Sequence, residues 1–429
     1  MSERALGRFF KSLTAVQRSL FPDLFFRGHR VDRPLVINLP ATECRHIRLR
    51  LDDQCLHLER LEIYGDEGQD LTEGALLHAS SVYPTTERML SEKTLFSRVP
   101  KHIGIHTDAT PGGEICVEFP EISKVRLIRV HNRDDSWAWR AWGLYIDVSS
   151  DGEHWDEIYS HNARAHEFAS CIRNAVRHDG GKPEELKLRQ ACCSILESIV
   201  QRDFVAASHV LDRPECKGVA REIQKGFNES LLVDFQYAFT AHGVQRSFRY
   251  WTLDEKRIYL EHALQLCADL RGLTENVCFG FGFVLGFVRD GDFIPHDDDI
   301  DLIVAFDRDS VPTISGGLEL VGQHLQSLGY EVWGDKLFNH RWVKRPGGQS
   351  IDVFVGLREG DGVAWYPSER KLLDWGDVFP SMEVDMYGLA CPVPRNPLRY
   401  LERTYGPGWR TPDNNFNHSW NCDQYQDIA

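Results

Sequence analysis

Four aspartates fall within five positions of this chain, at Asp297, Asp298, Asp299 and Asp301. The run continues as LIVAF (302–306), a stretch of branched and large apolar residues that reads as a buried strand. Side chains alternate across a strand, so Asp299 and Asp301 should share one face while Ile300 takes the other. Their Cα atoms would then lie about 7 Å apart, a span over which two carboxylates can share one hard cation or bridge a pair. Several like charges buried without a cation would protonate instead. The block therefore reads as a divalent-metal site. Asp298 or Asp297 is a candidate to accept a proton from an attacking hydroxyl, and both also suit a turn cap. A helix-loop-helix calcium loop does not fit, because the run lacks the Gly and the terminal Glu at that spacing.

The neighbouring elements must position these carboxylates. LDEKRIYLEHALQLCADLRGL (253–273) has helical apolar spacing with acidic residues in its first turn, and it delivers the chain to the strand VCFGF. The following FGFVLGFVRD (281–290) is Gly-punctuated. Gly280, Gly282 and Gly286 would let backbone N–H groups approach a phosphate at a helix N-terminus. Arg289 would clamp a phosphate oxygen or form a structural ion pair. Further on, GYEVWGDKLFNHRWVKRPGGQS (329–350) gathers Trp333, Lys336, His340, Arg341, Trp342, Lys344 and Arg345. Mixed aromatic and basic residues suit a sugar-phosphate or anionic glycan pocket, and they equally suit an exposed hairpin turning at Pro-Gly-Gly.

The segment GFVLGFVRDGDFIPHDDDIDLIV resembles the LicD/fukutin family, in which a G-T-L-L-G-x-x-R segment precedes an I-P-W-D-D-D-I-D run. Gly282, Leu285, Gly286, Arg289, Ile294, Pro295 and the aspartates stand in place. Phe283 stands where a small hydroxyl residue is usual, and His296 where Trp is usual. The strand SIDVFVG (350–356) and the segment NPLRYLERTYGPGWRTP (396–412), followed by His418, extend the resemblance over about residues 253 to 420. It implies a nucleotidyltransferase-like fold that moves phospho-alcohols onto glycans, with Asp352 completing a metal triad with Asp299 and Asp301. It also implies Mg²⁺ or Mn²⁺, a CDP-linked choline, ribitol or glycerol donor, and a glycan acceptor. Gly280, Gly282, Gly286, Arg289, His296 and Lys344 are the expected substrate-binding residues.

The remainder of the chain bounds the context. At 429 residues two domains and a connector are expected, and a formal charge of −15 excludes a large nucleic-acid footprint. Eleven Cys without a C-x-x-C pair fit reduced thiols in a cytoplasm. No apolar run reaches a membrane span, and no signal peptide is read at the N-terminus. Residues 1–32 read as an amphipathic helix or arm, either docked on its own domain or in peripheral contact with the inner face of a membrane. Residues 33–160 alternate in short β runs and resemble the discoidin (coagulation factor 5/8 C-terminal) family, whose local signature here is Ser149, Asp151, Gly152 and Trp155. Trp137, Trp139 and Trp142 would be either sugar-stacking platforms or core residues. Residues 161–250 read as a helical connector and 251–429 as the catalytic domain. The expected fold is multidomain α+β: an N-terminal antiparallel β-sandwich (jelly roll), the connector, and a nucleotidyltransferase-like α/β domain. Two other functions stay open, nucleotidyl transfer and non-catalytic glycan binding.

Overall fold

The structure is a computed structural model that describes residues 2–26, 34–83, 92–99, 103–108, 112–133, 137–334, 339–365, 368–370, 372–412 and 423–425. Lys336 and His418 lie outside the described residues. The chain divides into two compact units, Met1–Gln245 and Arg246–Ala429. Among the described residues no helix is long and apolar enough to cross a membrane.

The first unit combines an antiparallel sheet with a helical layer. Its six-stranded sheet is dominated by two long strands, Leu35–Arg50 and Glu114–His131, which pair with each other along most of their length. Each long strand takes in two of the short runs expected from sequence. Register shifts between Asn38 and Thr42 and between Cys44 and His46 break the alternation, and Ala41 adopts a positive φ of 29°. The S-x-D-G-x-x-W signature is a turn: Asp151 accepts from the N–H groups of Glu153 and His154, and Gly152 supplies a φ of 80°.

The helices His161–His178 and Pro183–Val200 begin at recognisable caps, Ser160 accepting from the Ala163 N–H and Pro183 leading Glu184 and Glu185. They enclose a second core together with the N-terminal helix Ser2–Leu20, which buries Ala5, Leu6, Phe9 and Leu13. That helix is thus docked, and its apolar face is spent on packing. Trp142 is likewise buried (5% exposed) and stacks on Phe235 with ring centroids 3.7 Å apart. Trp139 meets Tyr237 edge-on at 6.1 Å. Trp142 follows the core alternative, while Trp139 is half-buried.

The second unit is built on a mixed sheet. Helix α1 (Leu253–Leu270) opens with a capping box between Thr252 and Glu255 and leads to β1 (Val277–Phe279). Helix α2 (Phe281–Asp290) follows, then β2 (Asp301–Asp307), α3 (Ile314–Ser327), β3 (Glu331–Trp333), β4 (His340–Lys344) and β5 (Ser350–Glu359). The strand order is β1-β2-β5-β4-β3. Only β2 and β5 run parallel, joined by a crossover through α3, β3 and β4. The core of this unit takes in β1, β2, β5 and the inner faces of α1, α2 and α3. Helix α4 (Pro397–Tyr405), capped by Asn396, packs against α2.

If Trp142 is a core residue, Trp142→Ala should cost about 3–5 kcal/mol, the range for truncating a buried large aromatic. Thermal unfolding of the full chain would register it as a clear drop in melting temperature. A platform residue would leave the melt nearly unchanged.

Candidate functional site

The parallel pairing of β2 with β5 places Asp301 opposite Asp352, the acidic residue that spacing alone could not single out. The strand begins at Asp301 rather than before it, so Asp299 stands in the loop that enters β2. The extended geometry nevertheless reaches one residue further, since the Asp352 N–H donates to the Ile300 carbonyl at 2.9 Å. Ile300 is fully buried and turns into the core, while Asp299 and Asp301 are only half-buried. Asp299, Asp301 and Asp352 offer carboxylate oxygens that all lie within 4.8 Å of one another. A hard divalent cation with metal–oxygen distances of about 2.0–2.6 Å is spanned by oxygens at this separation, so the donor set fits Mg²⁺ or Mn²⁺.

Electrostatics carry the same message. Burial pushes the Asp301 carboxyl well above its ordinary range, and the charges of Asp299, Asp352 and Asp297 push it further. Asp297 is raised by burial, then by Asp299 and Asp298, and it shares a hydrogen bond with Asp299. A bound cation would reverse these shifts by stabilising the charged forms.

Much of the surrounding structure holds these acids in place. Tyr259 on α1 is fully buried; its hydroxyl accepts from the Ile300 N–H at 3.1 Å and donates to the Ser350 carbonyl. One side chain thereby ties the entries of β2 and β5 together. On the other side, the Tyr400 hydroxyl of α4 accepts from the Phe281 N–H at 2.9 Å. Phe281 has a φ of 37°, a left-handed conformation costing about 1–3 kcal/mol for a non-Gly residue, at the turn from β1 into α2. The loop before the aspartates is pinned by Asp292, which pairs with Lys256 at 2.7 Å and accepts from the Tyr387 hydroxyl. Residues 246–250, read from sequence as part of the connector, contribute as well. The N–H groups of Phe248 and Arg249 donate to the carbonyls of Asp297 and Pro295, both at 2.8 Å.

The glycines have packing reasons. A Cβ at Gly282 would meet the Asp297 carboxylate at 2.4 Å, and the Gly282 N–H donates to Asp301. A Cβ at Gly286 would strike the Asp292 carbonyl at 2.5 Å, and one at Gly280 would press on Ile303 at 2.8 Å. The first amides of α2 thus serve Tyr400 and the acidic cluster. Phe283, where a hydroxyl residue was expected, is buried and stacks on Phe279 at 4.2 Å, so it faces the core.

Of the other expected residues, Arg289 pairs with its neighbour Asp290 at 2.8 Å. His296 is surface-exposed, and its ring is disfavoured from charging first by partial desolvation and then by Arg289 and Arg249. Arg289 and Arg249 thus lie near enough to act on His296, the residue just before the acidic block. Asp298 is half-buried beside Asp297, but Asp297 is the fourth carboxylate that meets both Asp299 and Gly282. Lys344 lies on β4 opposite Ser350, one row from Asp352. His340 comes closer than sequence indicated: its Nε2 is 3.3 Å from the Asp352 carboxylate. Tyr259 and Tyr400 were hidden because an aromatic at helical spacing looks the same whether it packs or braces a site, and His340 was read only as one of the aromatic and basic residues of 329–350.

Residues 277–396 match the model of the LicD/FKTN/FKRP nucleotidyltransferase domain family. The match spans β1 through β5, includes the three clustered carboxylates, and suggests a phospho-alcohol transferase in glycan modification. No family match supports the discoidin resemblance of the first unit, and no curated protein matches the chain.

Two predictions follow from this geometry. Tyr259→Phe strips partners from the Ile300 N–H and the Ser350 carbonyl, and each buried unsatisfied group costs about 1–3 kcal/mol. Urea unfolding should show the loss in the midpoint, with the slope unchanged. The second concerns pH. Asp301 and Asp297 have folded-state pKa values raised above the unfolded carboxylate value of about 3.9, so the folded state binds the extra protons. In the metal-free protein the stabilising contribution of these two carboxyls is therefore fully present below that value and is lost as pH rises through the raised pKa values. Melting curves across pH, with and without Mn²⁺, should show the ion adding more stability at higher pH. An ion effect independent of pH would refute the carboxylate site.

Proposed function

We propose that this chain is a metal-dependent transferase that moves a phospho-alcohol from a CDP-linked donor onto a glycan hydroxyl. The observation that carries the reading is the convergence of Asp299, Asp301 and Asp352 to within 4.8 Å inside the family-matched residues. In this reading those three carboxylates hold one or two Mg²⁺ or Mn²⁺, which when bound neutralise the diphosphate and polarise the transferred phosphorus. The chain's own part is to position the groups and balance charge, since phosphoryl-type transfer asks little covalent chemistry of the protein.

The acceptor oxygen attacks the phosphorus of the alcohol phosphate, the bond to the CMP oxygen breaks, and CMP leaves with the bonding pair. Of the two candidates, Asp297 and Asp298, it is Asp297, hydrogen-bonded to Asp299, that is assigned to take the acceptor proton. Arg289, Arg249 and His296 supply positive and polar groups on the α2 side, where the leaving nucleotide would be held. Tyr259 and Tyr400 keep the carboxylates in register without touching substrate.

The test is a transfer assay read by product mass, with CDP-choline, CDP-ribitol and CDP-glycerol as donors and Mn²⁺ present. The wild type should add a phospho-alcohol to the acceptor, and Asp299→Asn with Asp301→Asn should lose at least 100-fold in rate while still folding. Addition of a nucleotide monophosphate instead would establish nucleotidyl transfer. Full activity in the double variant would refute the metal-triad reading.

A further inference from the structure

The row that carries the metal carboxylates continues across the sheet into a pair of tryptophans. On the ladder, Asp301 of β2 pairs with Asp352 of β5, Asp352 pairs with Trp342 of β4, and Trp342 pairs with Trp333 of β3. Residues paired on an antiparallel ladder share one face, so both indoles stand on the side that carries Asp352. With strands about 4.8 Å apart, Trp342 is one strand and Trp333 two strands, about 10 Å, beyond Asp352. The rings are nearly parallel, 24° apart in plane with centroids 6.4 Å apart. Trp342 is held edge-on by His340 at 4.8 Å, and a Cβ at Gly334 would touch its ring at 3.1 Å. Trp333, on a strand at the end of the ladder order, is 40% exposed.

We infer that Trp342 and Trp333 form the acceptor-sugar subsite, stacking the pyranose next to the hydroxyl that is modified. This rests on the proposed transfer reaction and adds a direction to it. Attacking and leaving oxygens lie roughly in line on opposite sides of the transferred phosphorus. The charges of Arg289 and Arg249 bear on His296, in the loop that follows α2, and β4 lies on the far side of β5 from β2, so in the proposed reaction these basic groups take the leaving nucleotide. The attacking hydroxyl must then enter from the opposite flank, where the tryptophan row begins. A pyranose offers an apolar C–H face to an indole while its hydroxyls stay hydrated, so an open aromatic ledge suits it. Lys344, on the same face one row away, can meet a hydroxyl or an anionic substituent of that sugar.

The experiment uses the full chain with two probes measured separately by calorimetry: chitotriose and maltotriose as saccharides, and CDP with Mn²⁺ as the nucleotide half of the donor. Trp333→Ala and Trp342→Ala should each weaken saccharide binding at least tenfold and leave CDP–Mn²⁺ binding within twofold of wild type. Trp333 is exposed, so its variant should retain the wild-type melting temperature and separates recognition from folding. Weakened CDP–Mn²⁺ binding with intact saccharide binding would make the ledge a base platform and overturn the inference. So would saccharide binding indifferent to both substitutions, or none by the wild type. If the wild type binds saccharide at the ledge but no CDP–Mn²⁺, the transfer reaction fails and the sugar site stands.

Discussion

The second unit is organised by electrostatic repulsion. Two unit charges 4 Å apart repel by about 4 kcal/mol at the effective dielectric of a protein surface, and three or four carboxylates multiply that cost. The parallel register of β2 and β5 nevertheless forces Asp301 and Asp352 side by side, and the extended entry loop adds Asp299. Such an arrangement persists only if the backbone is held from outside and a counter-charge is available inside. Tyr259 holds the two strand entries from α1, and Tyr400 holds the β1–α2 turn from α4. The Gly282 amide provides a partial positive charge, and the proposed cation would supply the rest of the neutralisation.

That requirement explains local features that otherwise look like waste. Phe281 sits in a left-handed conformation that disfavours any side chain larger than hydrogen. The turn places the Gly282 N–H on Asp301, and the Phe281 ring recovers packing against Phe354 at 5.0 Å. Gly282 is small because a carboxylate occupies the space a Cβ would need. Strain and missing side chains are thus concentrated around the acids, where positional accuracy matters most, and the surrounding core of packed Phe, Ile and Val absorbs their cost.

Sequence reasoning read this arrangement unevenly, for physical reasons. Asp299 and Asp301 were legible because charge interleaved with Ile300, Leu302 and Ile303 is too costly to be incidental. Asp352 was legible only through family resemblance, because its partner across a parallel ladder lies some fifty residues away and no local period encodes that pairing. The glycines were legible as constraints but not in kind, since a close approach to phosphate and one to a carboxylate leave the same residue in the chain. Tyr259 and Tyr400 were illegible because bracing residues obey the same spacing as core residues, and His340 was legible as a pocket candidate but not as the neighbour of Asp352. In the first unit, merged strands and buried Trp142 had the same origin: bulges and layer packing depend on contacts distant in sequence.

The chain's acidity sharpens what the second unit must do. A formal charge of −15 sets a repulsive background for any diphosphate, yet salt screens exposed charges beyond about 8 Å at physiological ionic strength. Binding is then decided by the groups within that radius. On β4 the neighbours of the cluster are Trp342, opposite Asp352, and Lys344 one row away, while Arg289 and Arg249 act on His296 just before the acidic block. In the proposed reaction a cation in the cluster lowers the electrostatic barrier to an anionic donor, whereas a neutral sugar beside Trp342 meets none. The proposed reaction therefore has the metal bind before the nucleotide, with the sugar entering along the tryptophan row.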